Sequence, residues 1–172
     1  MNLEQIKQEV MALAAAQNFG VRPEEILVAE KAVLIHSEIS EVFEASLKNQ
    51  VDGKDGVAEE LADVLIRILH LGGIYEVDFL ILPETPSEFI TAGANEQILR
   101  LHLLISQTWE DYRRGRLAEF KEKLVLAAAY LIAMSEKFKI DLNAAVAAKM
   151  KLNQNRDWRT EGKPNEKFIF KA

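Results

Sequence analysis

The sequence predicts an all-α protein: a single domain, 1–172, with a four-helix-bundle core of two pseudo-repeated helical hairpins plus flanking helices. Apolar residues recur with the spacing of a helix along most of the chain, and no stretch keeps the alternation of a strand. The length suits one compact core better than two. A weak internal repeat predicts the two hairpins.

Start and stop signals predict six helices. Pro23, followed by Glu24 and Glu25, is expected to open the second helix, because proline suits the first helical position and acids suit the first turn. Asp141 is expected to cap the last one. The segment 78–93 is predicted to be irregular, with a short helical turn at 87–89, and the tail 160–172 to be extended or loosely docked. The predicted helices are 3–17, 23–48, 57–75, 95–114, 117–139 and 141–157.

The internal repeat relates two stretches of each half of the chain. Residues 36–44 resemble 102–110, and residues 59–78 resemble 122–141. The first pseudo-repeat would span about 23–78 and the second about 95–157. Each copy would form one helical hairpin, and the two hairpins would pack around a pseudo-twofold axis.

The composition excludes several classes of protein. The chain has no cysteine, so disulfides, zinc fingers and thiol nucleophiles are ruled out. Its net charge of −6 argues against a general nucleic-acid binder, but a local basic cluster or a metal could still hold a small anion. The sequence shows no signal-peptide pattern and no apolar stretch long enough to span a membrane, so a cytoplasmic location is expected.

Carboxylates on two predicted helices form the first candidate site. Glu38 and Glu41 are spaced i, i+3 on the second helix, with Glu44 one further step along. Glu60 and Asp63 share a narrow polar stripe of the very apolar third helix, which should be mostly buried. Buried carboxylates repel one another unless a cation or a proton neutralises them, and hard oxygens suit Mg²⁺ or Mn²⁺. A solvated acidic helix face is the alternative, above all for Glu44.

The last predicted helix carries a second candidate group. Lys149, Asn153 and Arg156 are spaced i, i+4, i+7 and should project from one face. Together they offer donors suited to phosphate oxygens. The alternative is a basic helix end that complements the helix dipole.

These residues carry a resemblance to a known family. The Glu-x-x-Glu of Glu38 and Glu41, followed by the Glu-x-x-Asp of Glu60 and Asp63, resembles the signature of the MazG-like and dimeric dUTPase superfamily of all-α pyrophosphohydrolases. The helix with Lys149 resembles the one that follows in that superfamily. The matched stretches are 29–78 and 138–157, less than half of the chain.

The resemblance implies hydrolysis of a nucleoside triphosphate to a monophosphate and pyrophosphate with Mg²⁺, for which Mn²⁺ substitutes. The four carboxylates would be the metal ligands, and Glu41 or Glu38 would also activate water. The basic helix would bind substrate, and a homodimer is an expected assembly. The chain departs from the simple pattern because the second pseudo-repeat intervenes, so one metal site per chain is expected. In that copy the four carboxylates are replaced by Leu104, Gln107, Lys123 and Leu126.

Three alternative functions would require other features of the sequence. A di-iron bundle requires Glu-x-x-His pairs, and none of His36, His70 and His102 has an acid three positions earlier. A bundle that only binds a nucleotide or a protein stays open, as does hydrolysis of the terminal phosphate alone. The three histidines are expected to be packing or edge residues, and Trp109 and Trp158 to be core residues rather than base-stacking ones. The sequence does not identify the base or sugar.

Overall fold

The computed structural model describes residues 1–156, and within that range the chain is entirely helical, with no β-strand. This confirms the predicted all-α fold. A short 3₁₀ turn at Pro23–Glu25 lies between the first two α-helices. The seven α-helices of this range are α1 Leu3–Gln17, α2 Val28–Leu47, α3 Val57–Ile74, α4 Ser87–Thr91, α5 Ala94–Arg113, α6 Leu117–Lys137 and α7 Leu142–Asn155.

Four of the helices form a bundle around the core. The hairpin of α2 and α3 packs on the hairpin of α5 and α6, so that α2 also contacts α5 and α3 also contacts α6. The flanking helices α1 and α7 both pack on α3, which makes α3 the most enclosed helix of the bundle. Among residues 1–156, no helix is both long and apolar enough to cross a membrane.

The enclosure of α3 follows from its sequence, which is apolar on most of its circumference. Leu61, Val64, Leu65 and Ile68 are completely shielded from solvent. A helix that is apolar nearly all round is stable only when it is surrounded by other elements. Any polar side chain on this helix is therefore held in a largely apolar environment.

The two hairpins end their helices in the same way. Asn49 after α2 and Gly115 after α5 both have left-handed backbone, with φ of 53° and 73°. In both turns the following N–H donates back to a carbonyl of the last turn, from Gln50 in the first hairpin and from Arg116 in the second, at 3.0 and 2.9 Å. These positions correspond under the predicted repeat, although the duplication itself stays a prediction.

The predicted start of the second helix at Pro23 is wrong. Pro23–Glu25 forms a separate 3₁₀ turn, and the α-helix begins only at Val28. The Glu25 carboxylate accepts hydrogen bonds from the N–H groups of Val21 and Arg22 at 2.8 and 3.2 Å, which closes the turn on itself. Ile26 then returns to extended backbone, so the helical hydrogen bonds cannot continue.

The other predicted bounds differ little from the structure. Asp141 caps α7 as predicted, because its carboxylate accepts a hydrogen bond from the N–H of Ala144 at 3.0 Å. The predicted helical turn at 87–89 is present as α4, and α6 ends two residues before the predicted position 139. The predictions for Asp157, Trp158 and the tail 160–172 lie outside the described residues.

Candidate metal and phosphate site

Three of the four predicted metal ligands lie together where α2 and α3 pack side by side. Glu38 comes from α2, and Glu60 and Asp63 come from the first two turns of α3. One carboxylate oxygen of each lies within 4.8 Å of the others. Glu38 and Glu60 are only 7% and 4% exposed, so this is a buried acidic cluster and not a solvated helix face. Within residues 1–156 no other group of three histidine or acidic side chains lies close enough together to hold a metal ion.

Glu41, the fourth predicted ligand, lines the same cavity but stands apart from the cluster. Its side chain is exposed, and its Oε1 accepts a hydrogen bond from the Ser37 hydroxyl at 3.5 Å. It is nevertheless close enough to repel the charge of Glu60. Three of the predicted ligands are thus close enough together to share one metal ion, and Glu41 lies at the edge of the site.

The buried position of the cluster disfavours its negative charge. Burial, followed by repulsion from Glu41 and Asp63, raises the pKa of Glu60 to about 8. Burial likewise raises the pKa of Asp63 to about 6, although the nearby Lys149 ammonium works against this effect. Carboxylates held this way gain a proton or a cation readily, since either one removes the repulsion.

Lys149 reaches this cluster from α7. Its Nζ lies 2.6 Å from Oε1 of Glu59 and 2.6 Å from Oδ2 of Asp63. Burial alone would lower the pKa of Lys149, but the hydrogen bonds to Asp63 and Glu59 outweigh burial and raise it. Lys149 therefore supplies a fixed positive charge on one side of the acidic cluster.

Arg67 supplies a second positive charge, which contacts Glu38. Its Nε donates to Oε1 of Glu38 at 2.6 Å, and its Nη2 contacts the same oxygen. Arg67 lies four residues after Asp63 on the polar stripe of α3, and that spacing was the only sequence signal for its role. No function of Arg67 or of Glu59 was predicted from the sequence.

One cavity of about 310 Å³ contains the whole predicted site. Its walls include all four predicted ligands and all three residues of the predicted phosphate-binding face, which are Glu38, Glu41, Glu60, Asp63, Lys149, Asn153 and Arg156. Val10 and Leu13 of α1 add an apolar wall. The acidic group and the basic group predicted separately from the sequence thus face one space.

A second cavity of about 750 Å³ adjoins the first. Phe19, Arg67 and His70 line both cavities, and Ile26 and Leu27 add apolar surface to the second. Nε2 of His70 lies 2.8 Å from the carbonyl oxygen of Gly20, and a carbonyl only accepts, so this nitrogen carries the proton. Burial lowers the pKa of His70, which favours a neutral imidazole at the junction of the two cavities.

The corresponding positions of the second hairpin hold no acidic cluster among the described residues. Lys123, which aligns with Glu60, forms an ion pair with Asp111, and Arg116 contacts the same carboxylate. Asp111 is buried, so two cations already neutralise the acid at this end of the bundle. That the second copy holds no metal stays a prediction.

The remaining aromatic candidates contact one another rather than the acidic cluster. His36 of α2 stacks on His102 of α5, with their Nδ1 atoms 2.7 Å apart, so one of the two nitrogens donates to the other. Trp109 stacks on Tyr112 at a centroid distance of 6.0 Å, against the core.

Comparison with known proteins found no matching protein family, no matching curated protein and no matching solved structure.

Proposed function

We propose that this protein is a metal-dependent nucleoside triphosphate pyrophosphohydrolase, which cleaves between the α and β phosphates and releases a nucleoside monophosphate and pyrophosphate. The observation that supports it most is one cavity in which Glu38, Glu60 and Asp63 bring carboxylate oxygens within 4.8 Å of one another. Lys149, Asn153 and Arg156 line the same space. The proposal agrees with the resemblance of these residues to the MazG-like superfamily.

The donor set fits a hard divalent cation. Carboxylate oxygens are the preferred ligands of Mg²⁺ and Mn²⁺, and Glu38, Glu60 and Asp63 would hold the ion with water in the other positions. Burial and then the neighbouring acids raise the pKa of Glu60, so a bound cation would favour the ionised form of its carboxyl group. When bound, the ion would neutralise phosphate charge and activate water for attack on phosphorus.

The other residues of the cavity would bind and orient the substrate. Lys149, Asn153 and Arg156 would donate to phosphate oxygens and hold the scissile bond near the acidic cluster. Glu41 stands beside the cluster and not within it, which suits a carboxylate that orients the attacking water or takes its proton. Glu38 is the second candidate for that role.

The second cavity would hold the nucleoside. It adjoins the phosphate-facing cavity through Phe19, Arg67 and His70, so a triphosphate in the first space would place its sugar and base in the second. Phe19 is 38% exposed there, and an exposed aromatic ring can stack on a base. The neutral His70 would stand where the two parts of the substrate join.

Pyrophosphate release tests this function directly. We expect the protein to release pyrophosphate from one or a few of a panel of nucleoside triphosphates in Mg²⁺ or Mn²⁺, and none in EDTA. Release of orthophosphate alone would instead establish cleavage of the terminal phosphate. D63A should abolish turnover, whereas E44A, an exposed acid of the same hairpin, should leave it unchanged. If the folded protein hydrolysed none of the nucleotides, this would contradict the proposal and favour a bundle that only binds a nucleotide or a protein.

A further inference from the structure

The guanidinium of Arg67 occupies a position that the proposed function does not yet use. Both its Nε and its Nη2 contact a single oxygen, Oε1 of Glu38, and Glu38 is one of the three clustered carboxylates. The Arg67 side chain is 37% exposed and lines both cavities. It therefore contacts the acidic cluster and also borders the space in which a substrate would bind.

A divalent cation and this guanidinium would compete for the same carboxylate. Both are positive, and both are stabilised by the charge of Glu38, so binding of one weakens the attraction for the other. Lys149 stands in the same relation to Asp63. A guanidinium that loses its carboxylate within a cavity needs another anion, and its planar fork of donors suits phosphate oxygens.

We propose that Arg67 exchanges partners during the catalytic cycle: it neutralises Glu38 before metal binds, and it binds phosphate oxygens of the substrate once a divalent cation takes Glu38. This inference rests on the proposed function, because it requires a metal at the acidic cluster and a phosphate in the cavity. It gives Arg67 a substrate-binding role outside the predicted motif. It also couples the two binding events, since metal frees the side chain that the phosphate then engages.

The exchange makes the two affinities move in opposite directions when the charge of Arg67 is removed. The competing cation would be gone, so metal should bind more tightly, while phosphate should bind more weakly because a donor is lost. A side chain that only holds Glu38 in the orientation required for metal binding would behave differently. Its loss would weaken metal binding, as is usual when a residue that orients a ligand is removed.

Two titrations of the full chain, first stripped of metal with EDTA, separate these roles. Binding of Mn²⁺ alone is followed by electron paramagnetic resonance, and binding of inorganic pyrophosphate in saturating Mg²⁺ by calorimetry. For Arg67→Met we expect Mn²⁺ affinity to rise about fivefold to tenfold and pyrophosphate affinity to fall about tenfold. Arg67→Lys keeps the charge and should restore most of both values.

Arg100→Met is the matched control. Arg100 is 38% exposed and pairs with Glu96 on α5, away from the cavity residues, so its loss should change neither affinity. Methionine keeps the apolar stem of the arginine, and circular dichroism with thermal melting checks that each variant is folded. If Arg67→Met also proves unstable, Arg67→Lys and Arg67→Gln provide the same comparison.

The outcomes distinguish this inference from the function on which it rests. Suppose that the wild-type protein binds Mn²⁺. The exchange would then be overturned, and the proposed function left standing, if Arg67→Met lost affinity for Mn²⁺ or if Arg67→Met behaved like Arg100→Met in both titrations. A wild-type protein that binds no Mn²⁺ would overturn both. Opposite changes of the two affinities in Arg67→Met, reduced in Arg67→Lys, would support the exchange.

Discussion

The buried carboxyl group of Glu60 should make the stability of the protein depend on pH, and one substitution tests this. Its pKa is raised from the ordinary value of 4.5 to about 8, first by burial and then by the neighbouring acids. The native protein therefore holds this proton at pH values where the unfolded chain has lost it. The stabilisation is complete below pH 4.5 and is lost as the pH rises through 8.

The magnitude follows from proton linkage. Where the native state binds one proton more than the unfolded chain, the free energy of unfolding falls by about 1.4 kcal/mol per pH unit. Over the interval from pH 5 to 8 this gives a loss of up to about 4 kcal/mol, and about 2 kcal/mol when the interior relaxes around the charge. Glu60→Gln keeps the shape of the side chain without the charge, so the variant should lose most of this dependence.

Urea denaturation in EDTA at intervals between pH 5 and 9 measures the effect. Wild type should become less stable toward pH 9, whereas Glu60→Gln should change little above about pH 7, because Asp63, with a pKa of about 6, has by then largely lost its proton. Glu44→Gln, at an exposed position on α2, should follow wild type. Saturating Mg²⁺ should flatten the wild-type curve at high pH, because the charged cluster binds the ion. Parallel curves for wild type and Glu60→Gln in EDTA would refute the reasoning.

Three further predictions test the site and the packing around it. Asp63→Asn should weaken Mn²⁺ binding by at least about tenfold and leave a folded protein, because one of three clustered ligands is lost; near wild-type affinity would contradict the assignment. Gly72→Ala should cost about 1–3 kcal/mol in urea denaturation, because its Cβ would lie 2.6 Å from the ring of Phe79. Gly93→Ala, with open space around it, is the control, and an equal loss in both would count against the packing argument. Leu65→Ala, at a fully buried position, should cost about 2–5 kcal/mol, and a loss below about 1 kcal/mol would show that the bundle core is loosely packed there.

The helices were largely predictable from the sequence because each depends on neighbours along the chain. The apolar periodicity of α3 and the capping role of Asp141 are local properties that the sequence displays directly. The start of α2 was missed because Glu25 competes with the helix by accepting hydrogen bonds from the backbone of Val21 and Arg22. Proline and acids are compatible with either outcome, so side-chain geometry decided it.

Helical spacing predicted which site residues share one face of a helix, but it did not predict the contacts between helices. The i, i+3 spacing of Glu60 and Asp63 placed both on one stripe, and their meeting with Glu38 followed from the hairpin. The ion pairs of the site join residues 29 and 90 positions apart, Arg67 to Glu38 and Lys149 to Glu59, and no local pattern relates such partners. The second cavity depends on how the 3₁₀ turn packs near α3, which the sequence did not indicate.

Because α3 lies at the centre of the packing, the part of the site on α3 should resist local unfolding more than the part on α7. Glu60, Asp63 and Arg67 belong to a helix that contacts α1, α2, α6 and α7, so exposing its amides to solvent requires most of the molecule to unfold. Lys149 lies on α7, which packs chiefly on α3. In hydrogen exchange the amides of α3 should therefore be among the last to exchange, and those of α7 should exchange earlier as one cooperative unit. The lysine would then leave and return during fluctuations in which the acidic cluster keeps its geometry.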